Sequence, residues 1–126
     1  MENHHFKGYQ DLLIWQKAII FVNTIYKLTT AFPDTERFAL ISQIKRAVLS
    51  IPANIAEGYS RYSKKELARF LLISNGSLAE VETYLEIALS LGYITKEQYL
   101  PVAQDKEDIR KMLAALIRSV KNNMEG

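Results

Sequence analysis

The chain has 126 residues, 48% of them apolar and 24% charged, with no cysteine and a formal net charge of +2. Residues 1–126 read as one domain, long enough to bury a core without disulfides or a structural metal. The lack of cysteine excludes thiolate chemistry. No apolar leader follows Met1-Glu2-Asn3-His4-His5, and no run approaches the ~18 apolar residues of a membrane span, so a cytoplasmic protein is expected.

Helical periodicity runs throughout. The first helix is expected over about 10–30, with one apolar seam at Leu12, Trp15, Ile19, Val22 and Tyr26 and a second at Ile14, Ala18, Phe21, Ile25 and Leu28. Phe32-Pro33 ends it, because proline disfavours helix in the residue before it. A second helix follows over 35–58, capped by Asp34 or Thr35, with Pro52 inside it and Gly58 as its stop.

This second helix carries two stripes. At about 100° per residue, Leu40, Ile41, Ile44, Val48, Ile51 and Ile55 share one face, while Gln43, Arg46, Ser50, Asn54 and Glu57 form a regular polar row beside it. The row is either a solvated face or a set of side chains hydrogen-bonded to something fixed. A buried Glu57 would require a partner such as Arg46.

Ser63 and Glu66 form a capping box that opens the third helix, over 63–91. Its core seam is Leu67, Leu71, Ser74, Leu78, Val81, Leu85 and Ala88. A further apolar row comprises Phe70, Ile73, Tyr84, Ile87 and Leu91, and Gly92 closes the helix. Gly76, inside it, is read as permitting a close helix approach. Thr95 and Gln98 make a second capping box for the fourth helix, over 95–122, where Pro101 interrupts a seam resumed by Val102, Ile109, Leu113, Leu116 and Val120.

Four helices with short connections predict an all-α, antiparallel up-down-up-down four-helix bundle. Helices 1 and 3 carry more apolar surface than one such core needs. A subunit interface accounts for the surplus, with Phe21 and Tyr84 as candidates to face the neighbour.

Catalytic chemistry finds no constellation. His4 and His5 are adjacent and point about 100° apart on a helix, and no other histidine exists to serve as a base or to build the Glu-x-x-His motifs of di-iron bundles. Glu82 and Glu86 lie one turn apart, and Glu57 alone could join them at a metal. No phosphate loop or dinucleotide fingerprint appears. A non-enzyme is expected, with no metal and no cofactor.

Charge is unevenly placed. Residues 37–69 hold seven basic and two acidic side chains, whereas residues 70–100 hold one and four. Arg61, Lys64, Lys65 and Arg69 cluster at the helix 2–3 junction with Tyr59 and Tyr62 between them. Cations interleaved with aromatic rings can follow a phosphodiester backbone and stack on unpaired bases; a solvated helix edge is the alternative. The acidic segment could neutralise this patch.

The same residues carry a resemblance. Leu12, Trp15, Phe32-Pro33, Ser42-Gln43-Ile44-Lys45-Arg46-Ala47, the run Ser50-Ile51-Pro52-Ala53-Asn54-Ile55-Ala56-Glu57-Gly58, Gly76-Ser77-Leu78 and Leu91-Gly92-Tyr93 resemble the family encoded within intervening sequences of bacterial 23S ribosomal RNA genes, also called S23 ribosomal protein. The resemblance implies a four-helix bundle assembled as a ring-like homopentamer. The chain is also similar to the accessory protein of diversity-generating retroelements, which binds nucleic acid and a reverse transcriptase. Lys45, Asn75 and Ala39 depart from the family's frequent arginine, basic residue and glycine, which implies weaker nucleic-acid binding than in strongly basic relatives. The expected function is a homo-oligomeric RNA- or nucleic-acid-binding bundle, with Arg46, Arg61, Lys64, Lys65 and Arg69 on the nucleic acid and Gln43, Ser50, Asn54, Glu57 and Gly58 as a structural motif. A scaffold for a protein partner such as a polymerase is the rival reading.

Overall fold

A computed structural model describes residues 8–125; the His4-His5 pair lies outside them. Four helices follow in order: α1 (Leu13–Leu28), α2 (Leu40–Tyr59), α3 (Lys64–Ser90) and α4 (Lys96–Glu125). Their cross-contacts run in opposite senses along the chain. Ser50 meets Ser77 while Gly58 meets Leu67, Glu82 meets Lys106 while Glu86 meets Tyr99, and Phe21 lines a cavity with Ile109 while Leu12 lines one with Leu116. The α2–α3, α3–α4 and α1–α4 pairs are therefore antiparallel, as an up-down bundle requires.

Buried residues follow the expected seams. Ile14, Ala18, Phe21 and Ile25 of α1, Ile44, Val48, Ile51 and Ile55 of α2, Leu71, Leu78, Val81 and Leu85 of α3, and Val102, Ile109, Leu113 and Val120 of α4 share one core. A small second cluster of Phe32, Ala88 and Ile94 seals one end, with the Phe32 and Tyr93 rings 5.8 Å apart.

Several boundaries and roles differ from the sequence expectation, each for a local reason. α1 is flanked by 3-10 turns at Tyr9–Asp11 and Thr29–Ala31, where Thr29 and Thr30 donate back to the carbonyls of Tyr26 and Lys27. α2 starts at Leu40, because Asp34–Glu36 forms a separate 3-10 turn and Ala39 departs from helical geometry. Its first-turn amide is met by neither Asp34 nor Thr35. Glu36 accepts from the Leu40 N–H (3.2 Å) and from the Tyr93 hydroxyl (2.7 Å), tying the start of α2 to the end of α3.

Gly58 does not stop α2, which continues through Tyr59. A Cβ there would stand 3.0 Å from Leu67 Cδ1 and 3.1 Å from Phe70 Cβ, so the glycine lets α2 and α3 approach where they leave their turn. Gly76, expected to serve that purpose, faces open space, with nothing within 4 Å of the missing Cβ. Pro101 does not interrupt α4. It sits on the exposed side near the helix start, where the one lost hydrogen bond leaves a carbonyl that water can reach. Phe21 is 1% exposed and belongs to the chain's own core, so it is not an interface residue; the exposed apolar residues of α1 are Leu13, Ile19, Ile20 and Tyr26.

Helix caps are otherwise as read. Ser63 Oγ accepts from the Glu66 N–H (3.2 Å), while Thr95 and Gln98 satisfy each other's amides at 3.1 and 2.8 Å. Gly92, with φ of 77°, takes the left-handed position after α3, and Tyr93 N–H returns to the Ala88 carbonyl.

Candidate functional site

The polar row of α2 divides into three kinds of environment. Its middle is fixed against α3. Asn54 Nδ2 donates to the Ser50 carbonyl (2.8 Å) and hydroxyl (2.7 Å), and Ser77 Oγ donates to Ser50 Oγ (2.8 Å). One turn away, the fully buried Ser74 donates to the Ile51 carbonyl at 2.9 Å. Small hydroxyls and one amide thus close the α2–α3 seam, and no buried side-chain polar atom among the described residues lacks a partner.

Toward the start of α2 the row opens. Gln43 and Arg46 are exposed and, with Ser50, Glu80 and Tyr84, line a polar cleft of about 220 Å³. Toward the end of α2, Glu57 is about half exposed and pairs with Arg61 at 2.8 Å. Arg46 is not its partner. Eleven residues separate them, about 16 Å along the helix at 1.5 Å per residue.

At the α2–α3 junction, ion pairs hold both arginines. Arg69 makes a two-point contact with Glu66 (3.0 and 3.3 Å), one turn back on α3. That contact holds the Glu66 carboxyl below its usual range, first through the hydrogen bond and then through the neighbouring positive charges, while Arg69 is raised. The two guanidinium groups flank Phe70, with Arg61 5.1 Å and Arg69 4.5 Å from the ring centroid. Tyr59 is half-buried beside them, and desolvation raises its hydroxyl pKa. Tyr62 is fully exposed, and Lys64 and Lys65 are exposed and enter no ion pair among the described residues. Arg61, Lys64, Lys65 and Arg69 thus share one end of the molecule. Arg46 stands apart, about 22 Å up α2 from Arg61 at the same helical rise.

The acidic segment does not turn toward this patch. Lys106 of α4, only 9% exposed, reaches Glu82 at 2.6 Å and Glu107 at 3.6 Å. Glu86 accepts from the Tyr99 hydroxyl, whose pKa is pushed up to about 12, chiefly by that hydrogen bond. Arg110 clasps Glu107 and holds its carboxyl at about 2. Glu82 and Glu86 are therefore partners of α4 rather than a metal pair, and no group of three or more possible ligands gathers among the described residues. No helix there is long and apolar enough to cross a membrane.

Sequence reasoning missed the buried Lys106, whose signal was an unpaired cation within an acidic stretch of α4, and the Glu36–Tyr93 bond, whose partners lie 57 positions apart.

No curated protein matches this chain. A solved structure from Bacteroides thetaiotaomicron, described as a protein with unknown function from the S23 ribosomal protein family, is 30% identical and superposes with a TM-score of 0.75. The match covers 83% of this chain and 98% of that one. Residues 10–115, which hold α1, α2, α3 and the first two-thirds of α4, match the family described as 23S rRNA-intervening sequence protein, and the chain belongs to that family.

Proposed function

We propose that the chain is a non-enzymatic, homo-oligomeric helical bundle of the cytoplasm that binds nucleic acid, RNA in particular, at the α2–α3 junction. One observation carries this reading. Lys64 and Lys65 stand exposed and outside any ion pair among the described residues, beside the exposed Tyr62 ring, while Glu82 and Glu86 lie about 25 Å or more along α3, at 1.5 Å per residue, and are held by α4. The family's description names the 23S rRNA intervening sequence, which makes RNA the first nucleic acid to test. Exposed Ile20, Ile73, Ile87 and Leu91 support self-assembly, and the resemblance read from the sequence supports a pentamer.

Filter binding to RNA across a salt series, with light scattering for mass, tests both parts. Replacing Lys64 and Lys65 by alanine should weaken binding for every sequence and flatten the log–log salt slope by about 1.4, two contacts at ~0.7 each. Arg69 is the poorer probe, since removing it also strands Glu66. A monomer mass would overturn the assembly. No binding at ~50 mM salt, where phosphate contacts are strongest, would favour the second reading, a scaffold for a protein such as a reverse transcriptase. An open apolar cleft of about 390 Å³, lined by Leu12, Leu13, Met112 and Leu116, supports that alternative.

A further inference from the structure

The sequence puts Arg110, Lys111, Arg118 and Lys121 on the fourth helix as the alternative phosphate contact to the junction, and antiparallel packing carries Arg118 and Lys121 across to the first half of α3. There they line an open groove of about 460 Å³ with Leu72, Asn75 and Asn122. No carboxylate borders it, and neither cation enters an ion pair among the described residues, unlike Arg61, Arg69, Lys106 and Arg110.

The groove also continues the junction. On α3, Lys65, Arg69, Leu72 and Gly76 recur at spacings of four, three and four, which places them in one line along the helix. The line begins at the free lysine, passes Arg69, and reaches the groove at Leu72. It ends at Gly76, where nothing lies within 4 Å of the missing side chain. A glycine in mid-helix costs about 1 kcal/mol against alanine, and no contact within the chain accounts for it. The open space there leaves room for another backbone to pass close to α3.

We propose that the α3–α4 groove binds single-stranded nucleic acid, with phosphates on Arg118 and Lys121, bases against Leu72 and the Asn75 and Asn122 amides, and the strand continuing past Gly76 and Arg69 to Lys65. This rests on the nucleic-acid reading of the junction and extends it. Two neighbouring helix axes stand about 8–10 Å apart, which leaves a furrow for one strand; a duplex could touch only its rims. Leu72, 45% exposed, supplies apolar surface for a base face, and each asparagine offers both a donor and an acceptor to base edges. The groove thus combines the features that hold unpaired strands, cations along the backbone and surfaces for splayed bases.

Fluorescence polarisation of the full chain with labelled oligouridine, oligothymidine and a hairpin duplex tests this, with circular dichroism melts and light scattering as controls on fold and assembly. Replacing Arg118 and Lys121 by alanine should weaken single-strand binding on the order of tenfold and flatten the salt slope by about 1.4. Asn75→Lys should tighten binding and steepen the slope by about 0.7. Gly76→Leu, whose Cβ has nothing within 4 Å, should leave melting intact and obstruct the strand. Preference for oligouridine would assign RNA, and parity with oligothymidine would assign the strand chemistry shared by both; each supports the groove. If the Arg118/Lys121 variant binds like the parent while the Lys64/Lys65 variant is weakened, the groove is excluded and the junction reading stands. Duplex bound as tightly as single strand would overturn the single-strand assignment. Gly76→Leu that dissociates the assembly without changing strand affinity would remove the glycine from the path. No binding of any probe would overturn the groove and the junction together.

Discussion

Between Lys64 and Ser77, α3 closes on α2 at Gly58, adds hydrogen bonds from Ser74 and Ser77 to the burial of Ala68 and Leu71, and leaves Lys64 and Lys65 exposed. Between Leu78 and Ser90 it packs through Leu78, Val81 and Leu85, and Glu82 and Glu86 are held by Lys106 and Tyr99 of α4. One half therefore settles its buried hydroxyls as neutral hydrogen bonds within the seam and leaves Lys64 and Lys65 outside any ion pair among the described residues, with Arg69 held by Glu66. The other places Glu82 and Glu86 on partners in α4. A single helix can present a basic end and an electrically quiet end because its neighbours, not its own composition, decide which charges remain free.

The contrast can be broken most severely at Gly58. Valine there would drive side-chain atoms into Leu67 and Phe70 and should cost about 1–3 kcal/mol, the range for overpacking a tight contact, read as a lowered Tm. An unchanged Tm would mean that the helices separate freely at that point. In the second half, Lys106→Ala should cost about 1–2 kcal/mol, less than a fully buried pair because Glu82 remains about half exposed. A Glu82→Gln, Lys106→Met double variant should recover part of that loss. A double-variant loss equal to the sum of those of Glu82→Gln and Lys106→Met alone would show no coupling.

Ser77→Ala should cost about 1 kcal/mol by removing the hydrogen bond to Ser50. Gly76→Ala, in contrast, should raise stability by up to about 1 kcal/mol, since its methyl meets nothing in the chain. A lower Tm with smaller mass would instead place that surface against another copy.

The smallest effect concerns acid. Arg110 holds the Glu107 carboxyl at about 2 against an ordinary 4.5, so the pair contributes stability above that ordinary value and loses it as pH falls toward 2. Glu107→Gln should therefore narrow the gap in Tm between pH 5 and pH 2.5, with little change in the midpoint of the remaining acid transition.

The fold was legible because its signals are periodic and local. The buried seams of α2 and α3, the Ser63 and Thr95 caps and the Gly92 turn all arise within a few residues of one another. Errors arose where a local sign had two meanings. Gly58 reads equally as a helix stop or as room for a neighbour, and Glu36 outcompetes the more usual caps Asp34 and Thr35 only because Tyr93 arrives from another helix. For the candidate site, the clustering of Arg61, Lys64, Lys65 and Arg69 was visible in sequence. Their pairing was not, because the same four cations read alike until Glu57 and Glu66 are placed.

The close approach at Gly58 also bears on the order in which the chain assembles. Four residues join α2 to α3, and Gly58 and Leu67 meet across nine positions, whereas Leu12 and Leu116 come together from opposite ends of the sequence. Closing short loops costs less entropy and is faster than closing long ones. The α2–α3 hairpin is therefore the natural nucleus, and α1 docks against α4 late. Amide protons of α1 should accordingly exchange by openings that leave the α2–α3 hairpin protected, while uniform exchange across all four helices would mean that the bundle opens only as a whole.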